Sequence, residues 1–90
     1  MQRVKELAAQ RRIRELIGEN LARGREGKKM TQRELAEALD QPPNAISQWE
    51  RGRREPSPYH QYAIAEHLGY GEDIGWLYVV RNGFSGAGKR

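Results

Sequence analysis

The sequence has 90 residues, with 16 Lys and Arg against 12 Asp and Glu, a net charge of +4 and no cysteine. That length suits one compact domain. Its modest core gains no disulfide or thiolate metal site, so function is expected on a surface carried by packed helices and not in a deep catalytic cleft.

From residue 2 to 26, Val4, Leu7, Ala8, Ile13, Leu16, Ile17 and Leu21 recur at three- and four-residue steps with Arg, Lys and Glu between them, the pattern of an amphipathic helix. Gly18 and Gly24 each cost about 1 kcal/mol relative to Ala inside a helix, which leaves open one long helix or two with a break at 14–18. Gly27-Lys28-Lys29 is the first stop. Thr31-Gln32-Arg33-Glu34 then reads as a capping box, with Met30 and Leu35 placed for a hydrophobic staple and Leu35, Ala36 and Leu39 as the inner stripe. Asp40-Gln41-Pro42-Pro43 ends that short helix, because proline lacks the amide donor and biases its predecessor away from helix.

Pro43 suits the first position of a third helix over 43–51, which buries Ile46 and Trp49 and turns Asn44, Ser47, Gln48 and Arg51 elsewhere; Gly52 ends it. After the loop Arg53-Arg54-Glu55-Pro56, Ser57 caps a fourth helix starting at Pro58, with Tyr62, Ile64, Ala65 and Leu68 inward and Gly69 as its stop. Residues 73–80 read as a final helix, and 82–90, with three glycines, as a loose tail. Two short helices joined by a four-residue turn are the layout of a helix-turn-helix.

Charge follows the same layout. Residues 1–30 hold nine Lys/Arg and four Asp/Glu, and Arg51, Arg53 and Arg54 form a second cluster. Such clusters favour an anionic polymer, since each contacted phosphate releases condensed counterions, although a solvated charged face would show the same composition. No run approaches the ~18 apolar residues of a membrane span, and Arg and Glu interrupt the start of the chain, against a signal-peptide core. A cytoplasmic protein is expected.

From about Ile17 to Tyr70 the residues resemble the phage repressor, Cro and xenobiotic-response-element (Xre) family of regulators. The carriers are Ile17-Gly18-Glu19 and Arg25, then Thr31-Gln32, Glu34-Leu35-Ala36-Glu37 and Leu39. They continue through Ile46-Ser47, Glu50-Arg51-Gly52-Arg53-Arg54, Pro56-Ser57, Ile64-Ala65 and Leu68-Gly69. The resemblance implies an all-α, five-helix, lambda-repressor-like helix-turn-helix domain at 16–80. An N-terminal helical extension at 1–15 precedes it and a flexible tail at 81–90 follows. Its implied partner is double-stranded DNA, bound as a homodimer on an inverted repeat, in the manner of a phage repressor, a restriction-modification controller or an antitoxin. The sequence departs from the family at Asp40, where a turn glycine is usual, at Gln41-Pro42-Pro43, where a small apolar residue and a polar cap are usual, and at Gly24, where a core Leu is usual. The last departure predicts a more loosely packed first helix.

Asn44, Ser47 and Gln48 share one helical arc, and Asn or Gln can bond adenine through two atoms in the major groove. The family resemblance makes these three the base readers, with Gln41 and Pro43 near a thymine methyl or the backbone. Thr31 and Gln32 open the second helix, where free amides and the dipole favour a phosphate. Thr31 is explained by its cap alone, whereas Gln32 has no such structural reason. Arg51, Arg53 and Arg54 follow as phosphate ligands. The resemblance pairs Arg25 with Glu50 as a partly buried structural ion pair. Trp49, Tyr62 and Leu68 read as core; Trp76, Leu77 and Val80 either close the core or form a two-fold dimer face.

Two patterns are set aside. Gly83–Lys89 has phosphate-loop spacing, but Arg90 stands where Ser or Thr is required. His60 and His67 have no third ligand. The expectation is therefore a sequence-specific DNA-binding transcriptional regulator, with no cofactor, no metal and no catalytic constellation. The rival is a protein-interaction module in which residues 4–16 and 76–80 bind a protein partner.

Overall fold

The computed structural model of the protein describes residues 7–81. These residues form four α-helices, a 3-10 helix and no strand: α1 Ala8–Gly27, α2 Gln32–Ala38, α3 Pro43–Glu50, α4 Pro58–His67 and the 3-10 helix Ile74–Tyr78. Val4, the tail over 82–90 and the Gly83–Lys89 pattern lie outside the described residues.

The helix starts follow local chemistry. Thr31 Oγ1 accepts from the Glu34 amide at 3.0 Å while Glu34 Oε1 accepts from the Thr31 amide at 2.8 Å, the reciprocal capping box. Pro43 is the first residue of α3, and Ser57 Oγ accepts from the His60 amide at 3.2 Å at the start of α4. All four α-helices end in one way. A left-handed residue, at Lys29 (φ 59), Asp40 (φ 58), Gly52 (φ 74) or Gly69 (φ 90), lets the following amide reach back five residues. Those bonds are Met30 to Arg25 at 3.1 Å, Gln41 to Ala36 at 2.8 Å, Arg53 to Gln48 at 3.0 Å and Tyr70 to Ala65 at 2.7 Å, which satisfy carbonyls the helix leaves open. At Asp40 the aspartate itself takes the conformation that glycine usually supplies, which short polar side chains tolerate best among non-glycine residues.

α1 runs unbroken through Gly18 and Gly24, so the one-helix alternative is the observed one. Both glycines serve close packing. A Cβ at Gly18 would sit 2.4 Å from the Trp49 carbonyl oxygen and 2.6 Å from that of Glu50, so the backbones of α1 and α3 touch there. Gly18→Ala is expected to destabilise the domain by about 1–3 kcal/mol through overpacking, despite the gain of about 1 kcal/mol in helix propensity; a urea midpoint equal to or above that of the parent chain would contradict so close a crossing. At Gly24 the expected looseness is absent: a Cβ would meet Trp76 Cη2 and Cζ3 at 2.8 Å and Leu68 Cδ1 at 3.3 Å. The indole fills the room that a Leu would take.

The core gathers Ile17 and Leu21 from α1, Leu35, Ala36 and Leu39 around α2, Ile46 and Trp49 from α3, Ile64, Ala65 and Leu68 around α4, and Trp76 and Leu77. Met30 packs against it. Three expectations need correction. Tyr62 is 50% exposed and not core; Gln61 takes the inner position instead, donating Nε2 to the Pro56 carbonyl at 2.9 Å and accepting from Tyr78 Oη at 2.7 Å. Trp76 and Leu77 are buried within the chain, so neither can present a dimer face. The last segment is a 3-10 turn and not an α-helix. Buried Asn20 takes the Leu77 and Val79 carbonyls through Nδ2 at 2.8 and 2.9 Å, while Asp73 Oδ1 accepts from the Gly75 amide at 2.8 Å and tightens the turn at its start. Asn20 thus ties the end of the fold to the middle of α1.

Candidate nucleic-acid interface

α2, the turn through Asp40 and α3 form the helix-turn-helix. α3 is anchored by Ile46 and Trp49, both buried, and this fixes its rotation. Asn44 is then exposed, with Ser47 and Gln48 half-buried on the outer arc. Gln41, Pro42, Asn44 and Gln48 line a groove together with Arg54, Glu55, Ser57 and His60. Pro43 is exposed beside them.

A buried clamp sets the position of α3. Arg25 Nε donates to Glu50 Oε2 at 2.6 Å and Nη2 to Oε1 at 3.1 Å, a two-pronged pair, and Nη1 donates to the Met30 carbonyl at 2.7 Å. The two side chains are 11% and 8% exposed. The hydrogen bond to Glu50 raises the Arg25 pKa above the ordinary arginine value against the opposing effect of burial, with further help from the charges of Glu50 and Glu26. A raised pKa means the clamp contributes fully below the unfolded-state value and is lost only as pH climbs through the folded-state one, so no acid or neutral pH releases it from the arginine side.

The clamp has a third member that the sequence did not suggest. Gln32 Nε2 donates to Glu50 Oε1 at 2.8 Å, so Gln32 has a structural task after all. Its side-chain donor is engaged inside the protein rather than directed at a phosphate. Thr31 is exposed at the start of α2 with its hydroxyl oxygen occupied by the cap.

Arg51, Arg53 and Arg54 are exposed around Gly52. The Gly52 carbonyl is held by Arg14 Nε at 3.0 Å, a contact across 38 residues of sequence that no local pattern announces. His60, considered in the sequence only beside His67, lies on the groove wall with Nδ1 2.9 Å from Ser57 Oγ and its ring centroid 5.3 Å from that of Trp49. Among the described residues no three His, Cys, Asp or Glu side chains group to hold a metal ion, and no helix is long and apolar enough to cross a membrane. Of the rival protein-binding face, Leu16, Trp76 and Leu77 are buried, while Leu7, Ile13, Val79 and Val80 stay exposed.

The comparisons with known proteins agree with this architecture. The helix-turn-helix family model matches residues 21–74. The chain is 42% identical over 52 residues to the HTH-type transcriptional regulator DicA of Escherichia coli (strain K12), a match covering 58% of this chain and 38% of that protein. The aligned region is thus less than half of that relative's length. No solved structure matches the chain.

Proposed function

The chain belongs to the helix-turn-helix family, and from that premise we propose that it is a sequence-specific DNA-binding transcriptional regulator which inserts α3 into the major groove. One observation carries the reading: α3 is locked by Ile46, Trp49 and the Arg25–Glu50 clamp in the rotation that leaves Asn44, Ser47 and Gln48 along its outer arc. Side chains with paired donors and acceptors on such an arc are the chemistry that distinguishes base pairs in that groove. Arg51, Arg53 and Arg54 after α3 supply the phosphate contacts that fix register, joined at the start of α2, where the dipole favours an anion, by the Thr31 hydroxyl and the backbone amide of Gln32, whose side chain is held by Glu50. The match to DicA, a protein named as a transcriptional regulator, supports the same assignment.

The protein acts as a homodimer on an inverted repeat, with two copies of α3 separated by roughly 34–36 Å, one turn of DNA. Of the three residues considered for the dimer face, Val80, 70% exposed, is the one open to a second copy. The test is selection of bound sites from random duplex DNA, followed by binding to single-position variants of the selected site. Gln48→Ala is expected to relax base preference at one position, at a cost of about 1–3 kcal/mol there. Unchanged preference at every position would remove Gln48 from the reading surface, and failure to enrich any sequence would overturn the assignment itself.

A further inference from the structure

We propose that the first turns of α1 join the Gly52 loop in one arginine ridge that grips DNA phosphates, with Arg11 as an added contact. The inference rests on the DNA-binding reading above. It extends that reading to a part of the chain upstream of the family match, which begins at residue 21.

Three observations place the ridge. Arg14 Nε donates to the Gly52 carbonyl at 3.0 Å from a part-buried position. A Cβ at Gly52 would lie 3.1 Å from Glu15 Cγ and 3.2 Å from Glu15 Cα, so the loop backbone rests on α1 itself. Arg51 and Arg53, exposed on either side of Gly52, are thereby carried to α1, with Arg54 following. Arg11 stands three residues before Arg14 and four before Glu15, the spacing of neighbours one turn apart, with Cβ atoms roughly 5–6 Å away. By that spacing it falls on the side of α1 that the loop touches, and it is exposed.

Charge separates Arg11 from its neighbour. Arg12 Nη1 lies 3.7 Å from Glu15 Oε1 and 3.3 Å from Glu19 Oε2, so two carboxylates of its own helix answer its charge. Arg11 makes no ion pair among the described residues. The acids closest in sequence to the ridge are Glu15, paired with Arg12, Glu50, paired with buried Arg25, and Glu55, exposed after Arg54; against them stand Arg11, Arg51, Arg53 and Arg54. A planar guanidinium matches two phosphate oxygens, and each phosphate neutralised steepens the fall of log K with log salt by about 0.9.

The experiment measures the affinity of the full chain for a mixed-sequence duplex of about 30 base pairs over a series of KCl concentrations. Arg11→Ala is expected to lower the salt slope by about 0.9, Arg53→Ala to lower it by a similar amount, Arg11→Lys to preserve it and Arg12→Ala to leave it unchanged. Alanine at an exposed helical position favours the helix, and an unchanged circular dichroism spectrum verifies the fold of each variant. A slope near zero in the parent chain overturns the DNA-binding reading as a whole. A steep parent slope lowered by Arg53→Ala but not by Arg11→Ala overturns the ridge alone. So does an Arg12→Ala effect equal to that of Arg11→Ala, which would mean diffuse charge and not contact.

Discussion

Arg25→Ala is expected to lower the stability of the domain by about 3–5 kcal/mol, the cost of leaving one charge of a buried pair without its partner. The partner is Glu50, 8% exposed on its side chain, whose remaining hydrogen-bond donor is the neutral amide of Gln32 at 2.8 Å. The Met30 carbonyl loses its 2.7 Å bond from Arg25 in the same step. Against a total of about 5–15 kcal/mol for a native domain, such a loss leaves little margin, and thermal melting is expected to fall by tens of degrees, at roughly 4–8 °C per kcal/mol for a domain of this size. Arg25→Lys does not restore the pair, because an ammonium cannot match both carboxylate oxygens in one plane. Replacing Arg25 by Met and Glu50 by Leu together is expected to cost less than either alanine variant, since removing both charges removes the desolvation penalty with them. A single-variant loss below about 1 kcal/mol is the behaviour of a solvated surface pair and would contradict the clamp. Glu50 is the last residue of α3, so the same variants loosen the element proposed to enter the groove.

The legible parts of this fold are those whose cause lies within four residues. The Thr31–Glu34 box, Pro43 at the start of α3, the Ser57 cap and the Gly52 stop each follow from one side chain and the nearest backbone groups, and the structure places them where the sequence did. The inner face of α4 was misread for an instructive reason. Hydropathy puts Tyr62 inside, yet Gln61, Ile64, Ala65 and Leu68 are the residues at i, i+3, i+4 and i+7, one continuous stripe. Periodicity prevails because the Gln61 amide is satisfied on both sides, by the Pro56 carbonyl and Tyr78 Oη, which removes the penalty of burying it.

Asn20 is a similar case. A polar residue in the middle of α1 reads as solvent-facing until the strand of chain through Leu77 and Val79 arrives, 57 and 59 residues later, with two carbonyls to be met. The polar arc of α3 was legible for the same local reasons as the caps. Two supports of the candidate site were not. The bond from Gln32 to Glu50 and that from Arg14 to Gly52 join elements whose contact only the folded chain establishes, and no spacing in the sequence encodes them.

The exchange between Gly24 and Trp76 supplies the second large expected effect. Trp76→Ala should cost about 3–5 kcal/mol, the range for truncating a buried aromatic side chain. The indole is stacked on Tyr70, with centroids 4.0 Å apart and planes 10° from parallel, and it covers the notch that Gly24 leaves in α1. Its Nε1 donates to no protein group among the described residues, so truncation breaks no hydrogen bond within the protein and the loss reports lost packing. Gly24→Leu alone should also destabilise, because its Cβ would start 2.8 Å from the ring and the better helix propensity of Leu cannot offset a collision in a packed core. Combined, the two substitutions should recover part of the loss: leucine from α1 enters the space the indole vacates. The double variant is then more stable than the sum of the single effects predicts by about 1–3 kcal/mol, the coupling of residues that share one volume. Urea unfolding of the four chains measures that coupling directly. Additive effects would mean that the two sites do not share room, and that the tryptophan does not replace the missing α1 side chain.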